Sequence, residues 1–229
     1  FQSADNNFPS IIELLKGLAH CKLPYGEAIN KRILSVDIGE DIFSKILECV
    51  SSLAIRSPMF RERAVALAER IRGTIPEKER NVLIGENMRH SFRDFLKNNG
   101  KVGKIMVIFS PHKEFIFGDG FYSNLCPPAQ YIGNVSMLSP ITPYISVLYS
   151  NPSVYVAYPR VVTFVASESE VDRLNLVVQA YSRKEIFFRS DRPKLSAEFS
   201  CSKHLVFSDD RGIVDDLIFS IPGIYGRYR

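Results

Sequence analysis

Asp119 stands between Gly118 and Gly120, directly after an apolar run rich in β-formers. A strand end flanked by glycines presents its carboxylate to a cleft, where it acts as metal ligand, general base or orienting acceptor. The commoner meaning of Asp-Gly is a carboxylate that accepts backbone N–H groups in its own turn. Arg56 closes an apolar helical stretch just before Ser57-Pro58. A guanidinium in such a place needs an acidic partner or several carbonyls, so an Arg56–Asp119 pair is the expected junction between the two halves of the chain. His112 lies in the turn that would bring it near Asp119. Arg61 and Arg63 give two readings. One is a ridge that meets phosphates; the other is a solvated helix face paired with Glu62 and Glu69.

Strong catalytic motifs are missing. The sequence has no Walker loop, no Rossmann glycine pattern, no HExxH, no GxSxG and no kinase signature. His20, His90, His112 and His204 lack metal-ligand spacing, so no metal site and no cofactor are assigned. Cys21, Cys49, Cys126 and Cys201 form no CxxC pair, which excludes a zinc ribbon or a thioredoxin motif. Cys49, in an apolar helical run, reads as a buried thiol, and a reducing cytoplasm fits this cysteine usage.

With 229 residues, 45% of them hydrophobic and 24% charged, the chain is long enough for one sizeable core and is unlike a disordered protein. A net charge of +4 permits an anionic partner such as nucleic acid without requiring one, and a protein partner is equally open. No apolar stretch is long enough to span a bilayer, and no signal peptide opens the chain. Residue 1 is Phe rather than Met, which places the expected true N-terminus upstream.

The elements that must position these residues divide the chain. Residues 1–100 read as a helical subdomain and 101–229 as a mostly β subdomain, the two sharing one core. Residues 11–19 form a short helix with Ser10 as its expected cap. Residues 41–55 carry apolar side chains at spacings of three and four, the mark of an amphipathic helix. Ser57, Pro58 and Gly73 punctuate the next helix at its cap, first turn and end. A fourth runs from Glu77 to about Leu96, pinned by Phe92, Phe95 and Leu96. Residues 104–109 and 114–117 read as a β-hairpin, followed by strands at 134–138, 144–149 and 154–158. Ser167 and Glu170 form a capping box that opens a helix over 168–181. Residues 186–188 read as extended, and 197–200 with 204–207 as a last hairpin. The fold class is therefore α+β: a helical N-terminal half against a mostly antiparallel sheet, with one long helix in the C-terminal half.

Four stretches, in order, resemble the bacterial family catalogued as domain of unknown function 4238. They are Ile55-Arg56-Ser57-Pro58, then Phe115-Ile116-Phe117-Gly118-Asp119-Gly120-Phe121, then Met137-Leu138-Ser139-Pro140, then Leu174-Asn175, spread over roughly residues 40–190. That family has a helix ending in an Arg-Thr-Pro-like motif and a strand pair ending in Phe-Ile-Thr-Ser-Asp-Asn-Pro. A Pro-Leu-Ser-Pro strand and a helix with a Leu-Asn step follow. Here Phe117-Gly118 stand where it has Thr-Ser, and Gly120-Phe121 where it has Asn-Pro. The chain also lacks Trp and the family's His-containing N-terminal segment. The resemblance implies a fold pattern and a bacterial origin rather than a reaction.

Two functions follow as expectations. One is a non-catalytic binding or regulatory protein, in which Arg56, Asp119, Ser139 and Asn175 fix the interface between halves. The other is a phosphodiester-acting hydrolase or nuclease-like effector of defence or toxin biology, with Arg56 on a phosphate and Asp119 as base or metal ligand. Its weakness is a single well-placed carboxylate where such chemistry usually takes two or more.

Overall fold

The computed structural model describes residues 1–19, 28–123, 135–151, 158–200 and 212–221. In chain order the elements are α1 (Gln2–Ala19), β1 (Ile33–Val36), α2 (Glu40–Arg56), α3 (Pro58–Arg72), α4 (Glu77–Asn99) and β2 (Lys104–Phe109). Then come β3 (Phe117–Gly118), β4 (Tyr122–Ser123), β5 (Ser136–Thr142), β6 (Ile145–Ser150) and β7 (Val161–Val165). The described chain closes with α5 (Glu168–Tyr181), β8 (Ile186–Phe187), α6 (Ala197–Ser200) and α7 (Ile213–Ser220).

A six-stranded sheet in the order β1-β7-β2-β6-β5-β4 is antiparallel throughout except where β2 runs parallel to β7. The α+β class is therefore the observed one. Alternate strand residues serve opposite faces. Ile105, Val107, Phe109, Val147 and Tyr149 pack with α1, α2 and α4, while Met106, Ile108, Leu148, Val162 and Phe164 pack with α5 and α7. The sheet is thus covered on both sides.

Local signals hold where the helices were expected. Ser57 Oγ accepts the Phe60 N–H at 3.4 Å and Gly73 closes α3 at φ 78°. The Ser167–Glu170 capping box is present. Phe92 and Phe95 are buried, with Leu96 packed beside them.

Four expectations need correction. The helix expected from residue 11 begins at Gln2 and passes through Pro9, so Ser10 is no cap; its hydroxyl donates to Asn7 O at 2.9 Å. Burial of Ala4, Ile11 and Leu15, with Phe1 on Phe92 at 4.6 Å, outweighs the helix bond that Pro9 removes. Within the half read as helical, residues 33–36 form edge strand β1 against β7, so the division at residue 100 is crossed by the sheet itself. The hairpin of 104–109 with 114–117 does not form. Both edges of β2 are taken by β6 and β7, and Phe117–Gly118 pairs instead with Ile186–Phe187. Residues 197–200, expected as a strand, form α6; the other arm, 204–207, lies outside the described residues, as do 154–157 of the expected 154–158 strand.

Candidate functional site

Asp119 leaves the end of β3 in a turn pressed against the C-terminal end of α5. A Cβ on Gly118 would sit 1.7 Å from Ser182 Oγ, and one on Gly120 1.8 Å from the Tyr181 carbonyl oxygen. Gly120 therefore answers a close approach of two backbones, and Gly118 the seat of the Ser182 side chain. In this position the Asp119 carboxylate accepts the N–H of Arg183 at 2.7 Å and of Lys184 at 3.0 Å, while its own N–H donates to Glu185 O. This is the backbone-accepting role expected of Asp-Gly, except that the donors lie more than sixty residues further along the chain.

Arg56 is elsewhere. Its guanidinium pairs with both oxygens of Asp5 on α1, at 2.7 and 3.2 Å, and Nε donates to Ser52 O. Asp5 is held below the ordinary carboxylate value mainly by that bond. The expected Arg56–Asp119 junction is therefore not formed. Asp5 is nearer along the α1–α2 interface, and the 183–185 backbone already fills both Asp119 oxygens.

The helical and C-terminal parts are joined one step away, where the Arg183 side chain pairs with Glu62 on α3. Arg63, on the same helix, lies close enough to Tyr181 to oppose the effect of burial, which pushes that phenol up to about 12. Arg61 is exposed on α3, and His112 is exposed in the connection after β2. The acids expected as partners along α3 reach other elements instead: Glu69 pairs with Arg80 on α4 and Glu62 with Arg183, while Arg72 pairs with Glu79 on α4.

Ser139 and Asn175 do not meet. Ser139 pairs in register with Val147 on the α2 face of the sheet, fully buried, and its hydroxyl has no hydrogen-bond partner among the described residues. Asn175, on the opposite layer, donates to Glu114 O at 3.0 Å and accepts from Ile116 N–H at 3.1 Å. One turn on, Gln179 holds Lys194 O and Ser196 N–H in the same two-handed way. These amides fasten extended segments on either side of α5, and the segments flank a cleft of about 680 Å³.

A second cleft was not anticipated. At the end of the sheet where β2 and β7 finish and β5 turns into β6, a hollow of about 720 Å³ opens against the end of α1. Phe109, Ile145, Val165, Pro143 and Ile12 give it apolar walls, and Lys16 and Arg189 stand on its lining. Its size and character are those of a small-molecule site. Next to it the Glu114 carboxylate accepts from Ser190 N–H, Ser190 Oγ and the Tyr144 hydroxyl. No local motif marks this cleft in the sequence, because its walls come from four segments far apart in the chain.

Among the described residues, no group of three or more His, Cys, Asp or Glu side chains comes together as a set of metal ligands. No described helix is long and apolar enough to cross a membrane. No protein-family model, curated protein or solved structure matches the chain. What fold and geometry define is an α+β protein with a two-sided sheet, a braced Asp119 turn and an apolar cleft at one end of the sheet.

Proposed function

We propose that this is a non-catalytic binding or regulatory protein of the cytoplasm, and that the cleft at the end of the sheet is its ligand site. The observation that carries this is the cleft itself: about 720 Å³, walled by packed apolar side chains on strands whose other neighbours are core. Rigid walls of this kind lower the ordering needed on binding. Asp119 and Arg56 support the same reading from the other direction, since both have their charges committed to holding the fold.

The sequence contains no Trp, so an introduced indole reports on one place alone. Ala19, exposed on the cleft's lip, and Leu67, 52% exposed on α3, are suited to this. Ala19→Trp should show a saturable blue shift with apolar small molecules, and Leu67→Trp should not respond. Equal responses at both positions, or none at Ala19→Trp across a panel of such molecules, would remove the reading.

A further inference from the structure

We propose that the sheet-end cleft is selective for amphipathic anions, with the apolar body between Phe109, Ile145 and Val165 and the acid group on the Arg189 guanidinium. The proposal rests on the binding reading above and names the chemistry of the ligand.

The lining is apolar apart from a few groups, and the charged ones are of one sign. Among the described residues, Lys16 and Arg189 contribute cations and no carboxylate lines the cleft. The two cations differ in what they already hold. Lys16 Nζ lies 2.7 Å from Glu13, whereas Arg189 makes no hydrogen bond or ion pair among the described residues.

A neighbouring acid, Glu114, is already committed to other donors. Glu114 feels the Arg189 charge, yet its oxygens are occupied by Ser190 N–H, Ser190 Oγ and Tyr144 Oη. Glu114 thereby fastens residue 190 to Tyr144, which itself lines the cleft, and so holds the neighbouring Arg189 at its edge. An exposed guanidinium with free donors beside an apolar hollow suits a planar carboxylate or a phosphate, each able to accept two parallel N–H bonds. The remaining polar groups are less available: Ser110 Oγ donates to Lys113 O, and Thr142 Oγ1 accepts from Tyr144 N–H. A cationic or zwitterionic head would have to stand against both cations.

The test titrates the full chain carrying Ala19→Trp with decanoate, decyl phosphate, decanol and decylamine. Calorimetry on the unsubstituted chain runs beside it. Decanoate and decyl phosphate should bind on the order of tenfold or more tighter than decanol, with decylamine weakest. Arg189→Gln should remove that advantage while leaving decanol affinity unchanged. The ranking of the two anions separates a carboxylate source from a phosphate source.

If decanol binds as tightly as decanoate and Arg189→Gln changes nothing, the anion selectivity is overturned and the cleft remains a ligand site. If none of the four moves the Trp emission, the binding reading falls and this proposal with it.

Discussion

The Asp119 carboxylate accepts the Arg183 backbone N–H at 2.7 Å, and the Arg183 side chain reaches across to Glu62 on α3. Arg183 thus carries one of the polar contacts between the helical layer and the C-terminal part, beside the apolar packing of the helices on the sheet. Asp119 supports it by fixing the backbone from which the side chain departs.

A double-mutant cycle separates this brace from Arg56. Asp119→Ala removes two hydrogen bonds to a charged acceptor and should destabilise by about 1–3 kcal/mol. Arg56→Ala acts at a different interface, so the two effects should add within about 0.5 kcal/mol. A coupling well above that in chemical denaturation would mean that the residues share a network.

Gly120 has no room for a side chain. Its missing Cβ would lie 1.8 Å from a backbone carbonyl oxygen of Tyr181, an atom that cannot move without α5. Gly120→Ala should therefore cost roughly 2–4 kcal/mol or prevent folding. Gly39→Ala meets nothing within 4 Å and serves as the control, with little change expected in thermal melting.

Acid should unfold the protein partly through Glu170. Burial pushes its carboxyl up, but Arg32, bonded at 2.6 and 2.9 Å, and Ser167 together hold it below the ordinary 4.5. A depressed folded value means that this contribution is fully present above about 4.5 and is lost as pH falls through the folded value. Glu170→Gln should flatten the acid limb of stability against pH. Glu170→Ala, which leaves a buried Arg32 without its carboxylate, should cost about 3–5 kcal/mol.

Lys104 should act in the opposite pH range. It is fully buried, and burial brings its ammonium down from 10.5 to about 8. Between those values the unfolded chain binds the extra proton, so stability from this group rises with pH. The gain should appear as the stability of the unsubstituted protein minus that of Lys104→Met, measured from pH 7 to 10. The difference cancels Cys49 and Tyr181, whose ordinary values of 9.0 and 10.0 lie in this range and are both raised by burial. A flat difference would show that the amine is not desolvated.

The helices were largely legible because their signals are local. Ser57, Pro58 and Gly73, or Ser167 and Glu170, act within a turn or two of the chain. The strand partners were not, because pairing is decided by what else covers an edge. Lys-Ile-Met-Val-Ile-Phe over 104–109 is apolar on both faces, which marks a strand buried between two layers rather than a hairpin arm with one wet side. Read in that way, residues 104–109 already point to the centre of the sheet. Of the two readings of Asp119, its bonds fit the backbone acceptor, but the donors lie at Arg183 and Lys184, beyond any local pattern. Ser190 and Tyr144 are joined through Glu114, and nothing in the sequence around them announces it.

The most direct test of the account is an amide chemical-shift titration of the isotope-labelled chain with decanoate. The expected shifts cluster on Phe109, Ser110, Tyr144, Val165 and Arg189, with Asp119, Arg183 and Arg56 unmoved. Shifts centred on Asp119 and Arg183 instead, or none at saturating ligand, would contradict it.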